Sequence, residues 1–109
     1  MSRTVTPTID AYIDASNARE AEAVIACFTP DAVVVDEERT YRGSDEIRQW
    51  FAETVAAYAF TLEVTHVAEQ GSETVVTCWV TGTFEGSPIH LRYFFTLEGD
   101  RIAALTIRQ

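Results

Sequence analysis

Two side chains in the first third of the chain have the chemistry of a proton-transfer site. Asp36 closes a β-branched run, and Tyr12 lies on the apolar face of the first predicted helix. A carboxylate at the edge of an apolar cavity is poorly solvated, so its pKa rises and it can remove a proton next to a carbonyl. A buried tyrosine can donate a hydrogen bond to the oxyanion that then develops. Asp36 is therefore the candidate general base, and Tyr12 is the candidate donor.

Each of these residues also has a purely structural interpretation. Asp36 could simply hydrogen-bond the turn that follows its strand, and Tyr12 could be a core tyrosine with one polar partner. His66 is a third candidate, because on the inner face of its strand, beside Asp36, it would form an acid–base pair titrating near neutrality. It could equally be a satisfied core histidine or lie in solvent at the strand end. The residues alone leave these alternatives open.

Other kinds of catalytic or cofactor site have no support in the sequence. The two histidines do not combine with carboxylates in the spacing of a metal site. Cys27 and Cys78 are too few and too far apart for a disulfide framework or a zinc site. No glycine-rich phosphate loop, nucleophile elbow or dinucleotide fingerprint is present. We therefore predict neither a metal nor an organic cofactor.

The composition is that of one acidic globular domain spanning residues 1–109. Hydrophobic residues make up 47% of the chain and charged residues 23%, which suffices for one core. The 17 acidic and 8 basic residues give a net charge of −9, which disfavours nucleic acid and anionic membranes as partners. Residues 1–5 lack the apolar run of a signal peptide, and no stretch approaches the ~20 apolar residues of a membrane span. We expect a cytoplasmic protein.

Helical spacing of apolar residues predicts three helices in the first half of the chain. Thr6 caps the first helix, Asn17 the second and Ser44 the third. The second helix is expected to run through Phe28 and to stop at Thr29-Pro30. The third helix has the widest apolar stripe, formed by Ile47, Trp50, Phe51, Thr54, Val55 and Tyr58.

Period-two alternation predicts the strands. A hairpin of residues 32–36 and 40–42 separates the second and third helices. An antiparallel meander follows, with turn residues between its strands, at residues 60–68, 74–84, 89–97 and 101–108. This pattern indicates an α+β fold, in the order α-α-β-β-α-β-β-β-β, with the helices on one face of a curved, mostly antiparallel sheet.

The second face of the meander is also partly apolar. A sheet with one wet face alternates more cleanly, so something should cover this outer face. A second copy of the chain is the economical cover, which predicts a homodimer through Trp79, His90, Arg92 and Phe94. The alternative is that Trp79 and Phe94 are isolated exposed aromatics.

The order of elements and several short motifs together resemble a known superfamily. The motifs are Tyr12, Phe28-Thr29-Pro30-Asp31-Ala32, Asp36 and Tyr41-Arg42-Gly43-Ser44-Asp45-Glu46-Ile47. On these residues the chain resembles the nuclear transport factor 2-like superfamily, in the branch of SnoaL-like polyketide cyclases and ketosteroid isomerases. The resemblance covers nearly the whole chain. It implies a cone-shaped fold, in which a curved sheet and the helices enclose a ligand cavity.

The resemblance also implies roles for individual residues. Tyr12 falls at the position of the family's hydrogen-bond-donating tyrosine, and Asp36 falls at that of its general base. Phe95 stands where the family has a protonated aspartic acid, and Phe28 and Phe51 stand where some members have supporting tyrosines. A cofactor-free isomerase, cyclase or dehydratase is implied, with its donor network reduced to Tyr12, which disfavours steroid isomerisation.

The same correspondence implies which side chains face the cavity and which remain outside. Members of the family commonly dimerise through the outer sheet face, which agrees with the two-sided apolar pattern. Three functions stay open: an enzyme acting on a small apolar carbonyl compound, a non-catalytic pocket for such a molecule, and a dimerisation domain with a vestigial cavity. The implied lining consists of Phe28, Tyr41, Trp50, Phe51, Leu62, Val64, Val76, Cys78, Val80, Tyr93, Phe95, Leu105 and Ile107.

Overall fold

Residues 6–109 fold into three helices and six strands in the predicted order. The computed structural model describes these residues, and the segment considered for a signal peptide, residues 1–5, lies outside them. The α+β class is therefore confirmed. The helices are α1 (Pro7–Asn17), α2 (Ala21–Ala26) and α3 (Gly43–Tyr58); the strands are β1 (Phe28–Asp36), β2 (Arg39–Arg42), β3 (Thr61–Gln70), β4 (Glu73–Thr81), β5 (Ile89–Glu98) and β6 (Arg101–Arg108).

The six strands form one mixed sheet in the order β2-β1-β6-β5-β4-β3. Every neighbouring pair is antiparallel except β1 and β6, which run parallel. The parallel pair brings the end of the chain beside the first strand, so that Asp36 lies opposite Ile107. A residue about a third of the way along the chain therefore meets one almost at its end, at one end of the sheet.

The helices cover one face of the sheet and form the core with it. Thr6 caps α1 as predicted, because its hydroxyl accepts the Ile9 backbone N–H at 3.3 Å. The buried stripe of α3 consists of Ile47, Trp50 and Phe51, each of which stabilises the fold by roughly 1.5–3 kcal/mol on burial. No helix within residues 6–109 is long and apolar enough to cross a membrane.

The start of α2 differs from the prediction. Asn17 belongs to α1, and its side-chain amide accepts the Leu62 backbone N–H at 2.8 Å and donates to the Leu62 carbonyl at 2.9 Å. The helix begins after Glu20 without a side-chain cap. It also ends before Phe28, which pairs with Ile102 on β6 instead. The predicted capping pattern was wrong because the same amide finds a partner in the sheet.

The N-terminus of α3 also uses a different group from the one predicted. The helix begins at Gly43, and the cap position is Arg42 rather than Ser44. The Glu46 carboxylate accepts the Arg42 backbone N–H at 2.8 Å, which satisfies a donor that the helix leaves free. The turn that joins β2 to α3 is thereby fixed from within the helix.

The segment after β4 is not a strand, although the prediction extended it to Phe84. The chain bends at Gly82, where any Cβ would collide with the Tyr58 carbonyl oxygen. That carbonyl accepts the Thr83 backbone N–H at 2.7 Å and the Thr83 hydroxyl at 3.1 Å. The bend ties this segment to the end of α3 and places Phe84 and Glu85 beside the cavity described below.

A bulge at Thr65 shifts the register of β3. Val64 pairs with Cys78, whereas His66, two residues later, pairs with Thr77, the very next residue of β4. The extra residue turns His66 to the outer face, where it is exposed. The predicted inward position of His66 was therefore wrong.

The outer face of the sheet carries aromatic side chains, as the alternation predicted. Trp79 is 37% exposed, and its ring lies 4.1 Å from that of His90, measured between centroids. Phe94 is buried, because the guanidinium carbons of Arg92 and Arg108 lie over its ring at 5.5 Å and 4.8 Å from the centroid. Phe94 is thus not an isolated exposed aromatic.

Candidate functional site

A cavity of about 600 Å³ opens between the helices and one end of the sheet. Its size lies within the roughly 300–1,000 Å³ of small-molecule sites. Tyr12 from α1 and Asp36 from the end of β1 both line it, and Phe60, Val80, Leu91 and Ile107 supply apolar wall. The structure therefore brings the two sequence-predicted reacting groups to one hollow.

Asp36 is partly buried and is held by the indole of α3. The Trp50 Nε1–H donates to Asp36 Oδ2 at 2.9 Å. Desolvation by burial raises the pKa of Asp36 above its ordinary value, and the nearby charge of Glu37 raises it further. Hydrogen bonds from the Trp50 indole and the Glu37 backbone oppose this rise in pKa without cancelling it. The hydrogen bond from the Glu37 backbone is the turn contact expected of an aspartate at the end of a strand.

Two buried tyrosines line the same cavity as Asp36. Tyr12 is 1% exposed and Tyr93 is 3% exposed, and each has its ring against Phe95, with centroids at 5.6 Å and 6.2 Å. Burial is the main cause that raises the pKa of both hydroxyls, so both remain protonated at neutral pH and can donate. Among residues 6–109, neither hydroxyl has a hydrogen-bond partner, although both residues line the cavity.

The tyrosine rings are positioned by the aromatic residues that were expected to line the cavity. Phe28 meets the Tyr12 ring edge-on, with centroids 5.8 Å apart. Phe95 belongs to the buried core and also meets the Tyr12 ring edge-on. These contacts hold the Tyr12 ring in place and with it the position of its hydroxyl.

The opening of the cavity is acidic and aromatic, and we call it the mouth: Glu37, Glu38, Tyr58, Phe84 and Glu85. The Tyr58 hydroxyl donates to the Glu37 carboxylate at 3.2 Å, and the Tyr58 ring meets Phe84 edge-on at 5.7 Å. Within the described part of the chain, no three carboxylate, histidine or cysteine side chains are grouped as a metal ion would require. The mouth therefore combines carboxylates that are not grouped at one point with two aromatic rings.

The predicted lining divides into two sets. Trp50, Val80, Tyr93 and Ile107 line the cavity. The other predicted residues do not line it. Period-two alternation identifies which side chains of a strand face the helices, but it does not show which of those are covered by the helices and which border the cavity. His66 is excluded by the bulge in β3. The residues that pack elsewhere in or against the core are Phe28, Tyr41, Phe51, Leu62, Val64, Val76, Cys78, Phe95 and Leu105.

Sequence reasoning missed most of the mouth. The acidic turn directly after Asp36 was the available signal for Glu37 and Glu38. Phe84 and Glu85 carried no such signal, because the predicted strand ran through Phe84 and concealed the bend at Gly82. Tyr58 was assigned to the apolar stripe of α3, although its hydroxyl reaches the turn.

A family comparison decides the class of this fold. The SnoaL-like domain family matches residues 9–105, nearly the whole chain. The chain belongs to the SnoaL-like family. The resemblance stated from Tyr12, Asp36 and the residue 28–32 and 41–47 motifs is thereby confirmed. This SnoaL-like domain has no significant match among functionally curated proteins.

Solved structures share the fold of this SnoaL-like domain. A Sinorhizobium meliloti protein with a provisional polyketide cyclase assignment is 33% identical over 95% of both chains, with a TM-score of 0.92. A Sphaerobacter thermophilus protein is 27% identical, covering 93% of this chain and 91% of its own, with a TM-score of 0.79. A Catenulispora acidiphila protein of ketosteroid isomerase-like fold, solved with trimethylamine, is 19% identical, covering 97% and 87%, with a TM-score of 0.84.

Proposed function

We propose that this SnoaL-like domain binds a small carbonyl compound with an apolar body and transfers one of its α-protons. The observation that carries the proposal is the convergence of Asp36, Tyr12 and Tyr93 on one cavity. A carboxylate with a raised pKa is a stronger base than one in water, and two protonated hydroxyls line the same cavity. Isomerisation, cyclisation and dehydration of carbonyl compounds all begin with this step.

The proposed step balances without a cofactor. Asp36 takes the proton from the carbon next to the carbonyl. The electron pair of that C–H bond forms the C=C bond of the enolate, and the π pair of the C=O bond moves to the oxygen. Tyr12 and Tyr93 donate hydrogen bonds to the resulting enolate, and the Asp36 carboxylic acid then returns the proton to a carbon of the substrate. The Trp50 indole and the Glu37 backbone N–H each occupy one acceptor site of the carboxylate. A carboxylate has about four such sites, so lone pairs remain that can take the proton.

Tyr93 enlarges the donor set that the resemblance implied. Phe95 occupies the position of the family's protonated acid, but Tyr93 supplies a second buried hydroxyl from the same strand, two residues earlier. Two donors in a poorly hydrated site stabilise an enolate better than one, because the surrounding apolar wall weakens dielectric screening. Tyr93 therefore acts as the second oxyanion donor in this proposal.

The test is α-proton exchange of 2-tetralone in D₂O, followed by NMR, since it requires no knowledge of the natural product. Wild type should accelerate exchange, and Asp36→Asn should lower the rate by about 100-fold or more. Thermal stability should stay nearly unchanged, because asparagine can still accept the Trp50 N–H. Glu98→Gln, which removes one carboxylate at the distant β5–β6 turn, is the control and should exchange like wild type.

The alternative is a non-catalytic pocket for the same kind of molecule. The aromatic packing of Phe28 and Phe95 around Tyr12, where a polar network would serve catalysis better, is the observation that favours it. Equal exchange rates for wild type and Asp36→Asn, with 2-tetralone still bound, would establish this alternative and exclude the proton-transfer function.

We further propose that two copies pack through the outer sheet face. Trp79 is a large exposed apolar side chain of this face, and on the same face Arg92 and Arg108 lie over the ring of Phe94. Tryptophan and arginine are enriched in the cores of protein interfaces. The cavity opens on the other side of the sheet, so such a pairing would leave both mouths free.

A further inference from the structure

We propose that the ligand carries a positive charge, an ammonium group that sits at the mouth between Glu37, Glu38 and Glu85 and against the rings of Tyr58 and Phe84. The proposal rests on the cavity of the proposed function but does not depend on proton transfer. It names a ligand class: organic ammonium compounds with an apolar body and a carbonyl group at the far end.

The charge distribution around the cavity is one-sided. Four of its lining residues are carboxylates, Asp36, Glu37, Glu38 and Glu85, and the basic residue among them is Arg108. The Arg108 guanidinium carbon lies 4.8 Å over the Phe94 ring, on the outer face of the sheet, and so points away from the hollow. The cavity therefore has a negative potential that favours cations over neutral or anionic molecules.

Aromatic faces at the mouth select an organic cation over a metal ion. The Tyr58 ring is fixed by its hydrogen bond to Glu37 and by its edge contact with Phe84. Ring faces attract ammonium groups through their quadrupole, and quaternary ammonium ligands are bound in this way. The carboxylates of the described chain do not converge on one point as metal ligands do. An ammonium group, whose charge is spread over methyl or methylene groups, matches that arrangement.

The closed end of the cavity supplies an independent indication of a ligand. The hydroxyls of Tyr12 and Tyr93 lie on residues that are 1% and 3% exposed, and neither has a partner among residues 6–109. Both residues line the cavity, so each hydroxyl is available to donate to a polar ligand atom there. Phe60, Val80 and Leu91 line the space between them and the mouth. The lining therefore fits a molecule that has a hydrogen-bond acceptor at one end and a positive charge at the other.

The test compares three acetophenones whose 3-substituents are cationic, neutral and anionic, of which the first two have the same shape. The probes are 3-acetylphenyltrimethylammonium, its neutral isostere 3-tert-butylacetophenone, and anionic 3-acetylbenzoate, each titrated into the folded protein by calorimetry at low ionic strength. The cation should bind about tenfold tighter than the neutral isostere, and the anion should bind most weakly. Rising salt should reduce only the advantage of the cation.

Substitutions show which carboxylates cause the preference for the cationic probe. Glu37→Gln/Glu38→Gln/Glu85→Gln should remove most of the preference for the cation and leave the affinity of the neutral isostere unchanged. Glu98→Gln, which removes a carboxylate far from the mouth, should retain the preference. Asp36→Asn separates the two proposals, because it abolishes exchange but leaves the three mouth glutamates in place.

Three outcomes would overturn the ammonium proposal. They are equal affinity for the cation and its neutral isostere, a preference that survives in the triple glutamine variant, and the absence of binding by all three probes. Loss of proton exchange with the cation preference intact would instead refute only the proton-transfer function. Exchange without a cation preference would refute only the ammonium ligand.

Discussion

At the scale of single residues, the environment of Asp36 decides what it can do. Its carboxylate is partly buried and receives one indole N–H and one backbone hydrogen bond. Burial favours the protonated form, whereas those donors favour the ionised form. Because burial wins, the pKa of Asp36 lies above its ordinary value, and the rate of proton abstraction should rise with pH as this carboxyl ionises.

Two substitutions should move the pKa of Asp36 in opposite directions. Trp50→Phe removes a donor that stabilises the carboxylate, so the pKa should rise further. Glu37→Gln removes a neighbouring negative charge, so the pKa should fall. Carbon-13 NMR of the Asp36 carboxyl over a pH series measures both shifts directly. A shift in the same direction for both variants would contradict the electrostatic account.

The two buried hydroxyls should matter for rate rather than for folding. Tyr12→Phe and Tyr93→Phe should each lower the exchange rate of 2-tetralone by about 100-fold, the usual loss for one oxyanion donor. Their urea midpoints should stay close to that of wild type, because neither hydroxyl bonds to another described residue. A core role for Tyr12 predicts the reverse, namely lower stability and unchanged exchange.

At the scale of elements, the β1–β2 turn holds a conformation that its residues disfavour. Glu37 and Glu38 have φ of 54° and 65°, in the left-handed region, within a two-residue hairpin turn. Asn-Gly is the usual sequence for such a turn, because side chains with a Cβ are strained there. Retaining two glutamates at this cost in folding free energy is consistent with a use for their charge at the mouth.

Replacing Glu38 with glycine should therefore stabilise the fold and weaken cation binding. Relief of the left-handed strain is worth about 1 kcal/mol, measured as a rise in the free energy of unfolding in urea. Ala59→Gly is the matched control, since Ala59 has φ of 45° at the end of α3 and carries no charge. It should stabilise similarly and leave the affinity for the ammonium probe unchanged. Weaker cation binding in both variants would mean that rigidity, not charge, matters.

The helices and strands were largely predictable from the sequence, but the contacts between them were not. Local periodicity predicts each helix and strand. It does not predict that the Asn17 side chain bonds to the Leu62 backbone instead of capping α2. The bulge at Thr65 had a visible signal, because the apolar positions change phase between Val64 and Val67. The Gly82 bend had none, since it depends on the Tyr58 carbonyl 24 residues earlier in the chain.

At the scale of the whole molecule, the family and the path of the chain could be inferred, but the site only in part. Asp36 and Tyr12 were placed by resemblance, and the sheet order that brings Ile107 beside Asp36 agrees with it. The mouth arises from three separate segments of the chain. Their meeting follows from tertiary packing, which no local pattern encodes.

Dimerisation through the outer face should depend on Trp79. Trp79→Glu places a charge in a fully desolvated position of the proposed interface, so it should convert dimers to single chains in sedimentation velocity. Gln70→Glu adds the same charge at the exposed β3–β4 turn and should leave the dimer intact. Wild type that sediments as one chain at every concentration would exclude the pairing.

The pairing of the Asn17 amide with Leu62 has a consequence for how copies can associate. β3 is an outermost strand, and a free run of N–H and C=O groups along such a strand invites another chain to add to it. Asn17 occupies both groups of Leu62 in the manner of a neighbouring strand, and the bulge at Thr65 interrupts the run a few residues later. Addition of another chain along this border, the first step of open-ended fibril growth from β3, is thereby obstructed.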